Sequence, residues 1–162
     1  MSPSRRKFLF AVSLLAAALG YAGGAVALEK RTLTHELEVE VKVRRNLKTE
    51  CSQLVADQSD LDLALQTCDA AVEEAPEDGD RYYFRSYARY YREEYEAAEA
   101  DATRAIELET TRLAKAYYLR GAIKERQRRL REAAQDFKTA HDLSPDWAQA
   151  RRKVEEYAWA YE

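Results

Sequence analysis

The sequence has 162 residues, enough for one domain with short appended segments. Charged residues make up 34% of the chain and apolar residues 46%, with only five glycines and three prolines. This composition indicates a soluble, helix-rich protein and argues against a β-sandwich or a disordered tail. The net charge of −3 disfavours general nucleic-acid binding, which depends on neutralising phosphates. We therefore expect no nucleic-acid partner.

The first 28 residues have the layout of a targeting segment. A basic cluster precedes an uncharged run, 8–28, and charge returns at Glu29. The cluster resembles a bacterial twin-arginine export signal, and Ala25-Val26-Ala27 is a small-x-small cleavage pattern. The residues that carry the resemblance to the export signal are Arg5, Arg6, Phe8 and Leu9.

The same segment also fits an uncleaved transmembrane anchor. Twenty-one uncharged residues are enough to cross a bilayer as a helix. The basic cluster before them would keep the N-terminus in the cytoplasm. Both interpretations place the rest of the chain outside the cytoplasm, either free in the periplasm or anchored in the inner membrane.

The charged linker, 29–44, has two competing patterns. Leu37, Val39, Val41 and Val43 alternate with charged residues, as in a half-buried strand. Leu33, Leu37 and Val41 are also four residues apart, and oppositely charged side chains recur at the same spacing, as in a helix. We favour the helix, because no other stretch offers a strand to pair with.

Residues 114–147 contain two amphipathic helical patterns joined by a short polar turn. Small residues stand at Gly121, Ala133 and Ala140, with Phe137 between the last two and Pro145 after them. The preceding unit, 79–113, repeats this spacing with Ser86, Ala98 and Ala105. Small residues at such positions allow two helices to pack closely, and the large ones fill the space to the next unit.

This spacing resembles the 34-residue tetratricopeptide repeat (TPR), a helical hairpin that stacks into a solenoid. Arg120 and Lys124 depart from the pattern, where the family has Leu and Tyr. The resemblance implies an all-α fold, a solenoid of about three repeats with a C-terminal capping helix, preceded by one apolar N-terminal helix. The implied TPR-like domain, 45–162, consists of repeats 45–78, 79–113 and 114–147 and a capping helix, 148–162.

The sequence offers no constellation for catalysis. An enzyme needs titratable groups that converge on a pocket, and the two histidines, His35 and His141, are far apart. Neither has a second His or Cys at metal-ligand spacing, and no Gly-rich phosphate loop occurs. We therefore predict no catalytic residue, no metal and no cofactor.

Cys51 and Cys68 are the only cysteines, and an exported chain can oxidise them. The TPR resemblance places them on facing positions of the two helices of the first repeat, where a disulfide would staple that repeat. The alternative is a pair of buried free thiols that pack as small apolar residues.

In TPR proteins one side of each first helix lines a concave groove. The resemblance assigns eight residues to it: Tyr83, Tyr87, Tyr90, Lys115, Tyr118, Arg126, Arg152 and Trp159. Tyr82, Tyr95 and Tyr117 fall at core positions instead. Tyrosines supply a large amphipathic contact area at low entropic cost, which suits peptide capture. Packing between neighbouring repeats is the competing role for these rings.

Two further features bear on the partner. Some TPR proteins hold an acidic C-terminus with a carboxylate clamp, but here Thr49, Gln53, Phe84 and Leu119 occupy four clamp positions and only Lys115 fits. A basic cluster surrounds the turn of the third repeat and would contact an acidic partner or lipid headgroups, or be solvated. Its members are Arg120, Lys124, Arg126, Arg128, Arg129 and Arg131.

The sequence therefore predicts an extracytoplasmic scaffold that binds a peptide or helix of an envelope partner through an aromatic groove. The alternative is a single-span accessory subunit of a membrane complex, held by its N-terminal helix with the repeats as an outer cap. Stacking of the tyrosines on glycans or Pro-rich peptides is a third hypothesis.

Overall fold

The computed structural model describes residues 47–161. The export signal or anchor, the linker 29–44 and the start of the first repeat lie outside the described residues. Within them, seven α-helices are followed by a short 3-10 turn, and none of these helices has the length and apolarity to span a membrane. The helices are α1 (47–57), α2 (Leu61–Glu74), α3 (Gly79–Tyr91), α4 (Tyr95–Glu107), α5 (Leu113–Arg126), α6 (Leu130–Leu143) and α7 (Ala148–Glu156), and the 3-10 turn is Ala158–Tyr161.

The helices pack as three consecutive hairpins, α1–α2, α3–α4 and α5–α6. Each hairpin contacts the next, with α2 against α3 and α4 against α5. Helix α7 packs on α6, and the 3-10 turn contacts both. The described chain is therefore a helical-hairpin solenoid of three units with a C-terminal capping helix, and the predicted fold class is confirmed for these residues.

The turn inside each hairpin contains one residue in the left-handed region. Gln58, Glu93 and Arg128 have φ values of 56°, 63° and 66° and are spaced 35 residues apart. The backbone N–H groups of Glu93 and Arg128 donate to the carbonyls of Tyr90 and Glu125. A left-handed residue just after a helix satisfies its last carbonyls and reverses the chain. All three hairpins use such a residue, and the second and third share the same hydrogen-bond pattern, whereas Gln58 N–H donates to the Leu54 carbonyl.

The small residues of the repeat pattern lie where the two helices of a hairpin meet. A Cβ on Gly121 would lie 2.9 Å from the ring carbons of Phe137, so only glycine fits beside that buried ring. In the second hairpin, Ser86 Oγ donates to the Ala98 carbonyl at 2.7 Å. The interface between the two helices of a hairpin therefore depends on a different contact in the second and third hairpins.

The first hairpin uses a covalent bond at this interface. Cys51 and Cys68 are joined with an S–S distance of 2.09 Å and a Cα–Cα distance of 4.9 Å. Both are fully buried in a cluster with Val55, Ala64 and Ala71. Cys51 precedes Ser86 by 35 residues, as Ser86 precedes Gly121, so the disulfide lies where the third hairpin has its Gly–Phe contact.

Asp80, at the start of α3, connects all three hairpins. Its buried carboxylate lies 2.8 Å from Lys48 Nζ of α1 and 2.9 Å from Arg112 Nη1, just before α5. It also accepts hydrogen bonds from Thr110 Oγ1 and from the backbone N–H of Thr111, the latter at 3.0 Å. Burial raises the pKa of Asp80, but the hydrogen bonds from Lys48, Thr110 and Thr111 outweigh it and hold this pKa well below its usual value.

Candidate functional site

The predicted groove residues come from four elements of the stack. Tyr83, Tyr87 and Tyr90 lie on α3, with Lys115, Tyr118 and Arg126 on α5. Arg152 lies on α7, and Trp159 lies in the 3-10 turn. The contacts of each side chain decide whether it faces a partner or the interior.

Tyr83 lies inside the core. Its side chain is only 5% exposed, and its ring packs edge-on against Phe84 and Tyr87 with centroid distances of 5.3 and 5.2 Å. Burial raises the pKa of Tyr83 far above its usual value, and the neighbouring Tyr87 raises it further. Tyr83 therefore packs beneath Tyr87 and offers almost no surface area to a partner.

Tyr87 and Tyr90 are half-buried, and the ring of Tyr91 packs between them. The sequence pattern did not assign Tyr91 to the groove. The ring of Tyr91 is 5.9 Å from Tyr87 and 5.6 Å from Tyr90. These three rings form a continuous aromatic strip along one side of α3.

The strip is extended by a second aromatic pair. Tyr118 of α5 is 4.7 Å from Trp147, which precedes α7, and 5.2 Å from the buried Phe137. Tyr87 and Tyr90 pack against the core cluster that includes Ala116 and Leu119 of α5, the helix that carries Tyr118. The aromatic surface, as defined here, comprises Tyr87, Tyr90, Tyr91, Tyr118 and Trp147.

Three hydroxyls of this surface, those of Tyr87, Tyr91 and Tyr118, remain protonated at neutral pH. Burial raises the pKa values of Tyr87, Tyr91 and Tyr118, because an ionised phenolate loses hydration in such surroundings. The surface therefore presents neutral O–H donors beside apolar rings. Such a combination suits the backbone carbonyls and apolar side chains of a peptide.

Exposed cations border the aromatic surface on the α5 and α7 side. Lys115 and Arg152 are exposed and make no ion pair within the described residues, and Arg152 lowers the pKa of Tyr118 against the effect of burial. Arg126 lies over the rings of Tyr90 and Tyr95, at 5.9 and 5.1 Å, and pairs with Glu93 at 3.2 Å. Arg126 therefore shields the edge of the strip, and the other two cations remain available.

Trp159 lies apart from this surface. It is 47% exposed, but its ring contacts are with Tyr157, at 6.2 Å, and with the Arg131 guanidinium, at 5.8 Å. It therefore belongs to the C-terminal end of the stack. The Trp147 ring occupies the position beside Tyr118 that the sequence pattern left unassigned.

The three tyrosines predicted at core positions are half-buried. Tyr95 and Tyr82 pack on the core cluster of the second hairpin, and the Tyr95 hydroxyl is buried without a hydrogen-bond partner among the described residues. Arginines also cover two of these rings. The Arg85 guanidinium lies 5.3 Å from the centre of the Tyr82 ring, and the Arg120 guanidinium lies 5.3 Å from the centre of the Tyr117 ring.

The predicted basic cluster of the third repeat is largely neutralised. Lys124 is buried and Arg120 largely so, and both are paired with Asp136, so the surface assignment is wrong for these two. Arg129 pairs with Glu99 and Glu132. Arg128 and Arg131 remain as exposed cations without an ion pair in the described chain.

The similarity of this chain to known proteins lies in its fold. No protein-family model matches the sequence, and no curated protein matches it. Among solved structures, the Arabidopsis OM64 TPR domain superposes with a TM-score of 0.67 at 23% identity, covering 73% of this chain and 96% of that one. The described chain has the fold of TPR domains.

Two further solved structures extend this likeness. The first TPR of Spaghetti (RPAP3), bound to an HSP90 peptide, gives a TM-score of 0.65 at 23% identity and covers 73% of this chain and 92% of that one. The crystal structure of MamA gives a TM-score of 0.64 at 20% identity, with 88% of this chain and 80% of that one covered. At these identities the likeness establishes the fold alone.

Two of the carboxylate-clamp positions, which in some TPR proteins hold an acidic C-terminus, cannot bind a ligand carboxylate here. Leu119 is 1% exposed, and Phe84 lies half-buried beneath the Arg112 guanidinium at 4.9 Å. Neither side chain can donate a hydrogen bond. Within residues 47–161 no group of three His, Cys, Asp or Glu side chains is arranged to hold a metal ion.

Proposed function

We propose that this TPR-like domain is an extracytoplasmic scaffold that binds a peptide or helix of an envelope partner on its aromatic surface. The observation that carries the proposal is the continuity of Tyr87, Tyr91 and Tyr90 along α3, extended across the next hairpin by Tyr118 and Trp147. All five rings keep part of their surface exposed, so a partner could cover that surface.

The chemistry of this surface favours a protein ligand. Half-buried rings lose little conformational entropy when they are covered, and aromatic anchors dominate the binding energy of many interfaces. The neutral hydroxyls of Tyr87 and Tyr118 would hydrogen-bond backbone groups. Similar structures bound to peptides, such as the TPR of Spaghetti with its HSP90 peptide, support the class of ligand.

The proposed location rests on two features of the chain. Residues 1–28 resemble an export signal or a signal anchor, and the cysteines of the first hairpin are paired. Disulfides persist in oxidising compartments such as the periplasm and are uncommon in the cytosol. Both features agree with a domain that works outside the cytoplasm.

Site-specific photo-cross-linking tests the surface. A photoreactive amino acid at position 90 of the full chain, expressed in its native cells, should yield a discrete cross-linked protein. The same probe at position 100 is the matched control, since Ala100 is exposed but lies on α4, the second helix of the same hairpin, outside the aromatic surface. Adding Tyr87→Ala and Tyr118→Ala should remove the product at position 90 while the helical circular dichroism is kept. Equal yields with and without these substitutions would reject the aromatic surface as the binding site.

The mature N-terminus distinguishes the proposal from its alternative. A chain that begins at Leu28 and is recovered in the periplasm supports an exported scaffold. A chain that retains residues 8–28 in the membrane fraction supports the single-span accessory subunit. N-terminal sequencing of both fractions separates these outcomes.

A further inference from the structure

The two ends of the hairpin stack carry opposite charge. The first hairpin, 47–78, contains nine Asp and Glu residues and one Lys. Residues 114–161 contain eleven Lys and Arg residues against seven Asp and Glu. The stack is therefore acidic at its first hairpin and basic from its third hairpin onward, a division hidden by the small net charge.

The acidic end has a cleft that no neighbouring hairpin covers. It encloses about 500 Å³ and is lined by α1 and α2 only, through Glu50, Gln53, Leu54, Asp57, Leu63 and Thr67. Leu63 is 45% exposed although it is apolar. Glu50 and Asp57 make no ion pair among the described residues. An apolar centre with unneutralised carboxylates at its rim is typical of a contact site for a basic partner surface.

The basic end has the complementary character. Arg131 and Arg151 are exposed and form no ion pair within residues 47–161, and Arg131 lies 5.8 Å above the Trp159 ring. Trp159 is 47% exposed, in the turn that ends the described chain. An exposed aromatic ring bordered by the Arg131 guanidinium, on the same basic end as the exposed Arg151, can fill an apolar cleft with a carboxylate rim.

We propose that the partner at each end is a second copy of this chain, so that copies associate head to tail. The acidic cleft of one copy would receive the Trp159 end of the next, with Arg131 and Arg151 facing Glu50 and Asp57. Because the two contacting surfaces differ, the interface is heterologous and leads to open chains or rings rather than a two-fold dimer. Charge complementarity of this kind selects the partner and its orientation.

This inference does not rest on the aromatic surface, and its test uses other residues. One variant reverses the acidic end (Glu50→Arg with Asp57→Arg), and another reverses the basic end (Arg131→Glu with Arg151→Glu). Arg152, which borders the aromatic surface, stays unchanged. All four positions are exposed, so the helices should form in each variant, which circular dichroism checks.

Light scattering coupled to size-exclusion chromatography on the full chain gives the readout. The wild-type mass should rise with concentration beyond one chain at about 0.05 M salt and fall towards one chain at about 0.5 M, where exposed charges are screened. Each single-end variant should remain at the mass of one chain. The equimolar mixture of the two should assemble again, and so should the variant with all four reversals.

Three results would overturn the inference. The first is a wild-type chain that stays monomeric at every concentration. The second is an assembly that neither reversal affects, as expected if residues 1–46 alone drive it. A dimer that does not grow, and that only one of the two reversals disrupts, would indicate a two-fold interface instead.

Discussion

Arg120 and Asp136 face each other across the third hairpin and share two hydrogen bonds, from Nε to Oδ2 at 2.9 Å and from Nη2 to Oδ1 at 2.7 Å. Lys124 Nζ donates to the same carboxylate at 2.7 Å. The second hairpin repeats the arrangement, with Arg85 and Arg89 on Asp101. The second and third hairpins thus each carry a nearly buried carboxylate neutralised by two cations. In the third hairpin these cations stand where the TPR pattern has Leu and Tyr.

Replacing Asp136 with Ala should destabilise the fold strongly. The change leaves Arg120 and Lys124 without a counter-charge in the interior, and breaking a buried ion pair in this way costs about 3–5 kcal/mol. Chemical denaturation measures the free energy of unfolding. Asp142→Ala is the control, because its pair with Lys138 is exposed and should contribute less than about 1 kcal/mol. Similar losses in the two variants would contradict the interior role of Asp136.

Gly121→Ala should destabilise the third hairpin even though alanine favours helices. The added methyl would meet the fully buried Phe137 ring at 2.9 Å. Overpacking of this kind costs about 1–3 kcal/mol, which exceeds the gain in helix propensity of up to about 1 kcal/mol. A double-mutant cycle with Phe137→Leu should show a smaller cost of Gly121→Ala beside the smaller side chain. Additive losses would place the strain elsewhere.

Arg128→Gly should stabilise the protein. Arg128 has a φ of 66°, and a side chain in this region costs about 1 kcal/mol that glycine avoids. Its side chain is exposed and makes no ion pair within the described residues, so little is lost with it. Gln127→Gly, one residue earlier at a φ of −79°, should be destabilising. A rise in melting temperature for the first variant and a fall for the second would confirm the turn geometry.

Reduction should weaken the first hairpin. The disulfide spans a sequence separation of 17 residues, for which the chain-entropy model gives about 3 kcal/mol. The unfolding midpoint of the exported protein should fall in reductant, and its intact mass should rise by about 2 Da. The variant Cys51→Ala with Cys68→Ala should already have the lower midpoint and should not respond to reductant. A reductant-sensitive midpoint in that variant would point to another cause.

Asp80 should make the fold acid-sensitive. Its pKa is lowered on folding, so its contribution to stability is complete above the unfolded value of about 4 and is lost as the pH falls further. Asp80→Asn should therefore be less stable than wild type at pH 7, and the difference should shrink below about pH 4. Urea denaturation across this pH range measures the two slopes. Parallel pH profiles would show that other carboxylates govern acid unfolding.

The fold could be predicted from the sequence because the decisive residues are local. The positions of Gly121, Ala133 and Phe137 recur at a fixed spacing of 35 residues, occupied by Ser86, Ala98 and Ala102 in the second hairpin, since two helices of a hairpin touch at the same points in every repeat. Trp147 escaped the pattern because the turn between α6 and α7, rather than helix periodicity, brings it to the aromatic surface. Tyr91 lies one helical turn after Tyr87, at the very end of α3, beyond the positions that the resemblance assigned.

Charge was the harder property to predict. Arg120 and Lys124 looked like surface cations, because nothing in a sequence shows that Asp136, on the facing helix, turns inward to meet them. Tyr83 was predicted to line the groove, but it lies in the core. A small rotation of α3 about its axis separates these two placements. Such assignments depend on the rotation of each helix about its axis, which a spacing pattern determines only to within one residue.

The position of Asp80 implies an order of local opening along the stack. If the first hairpin detaches, Asp80 loses Lys48 but keeps Thr110, Thr111 and Arg112. If the third hairpin detaches together with residues 110–112, which lead directly into α5, the carboxylate loses Thr110, Thr111 and Arg112 at once and keeps Lys48 alone. This second opening removes more partners of Asp80 and is therefore the more costly. Amide hydrogen exchange should then be faster in α1 and α2 than in α5 and α6, with the stack fraying from its disulfide-bonded end.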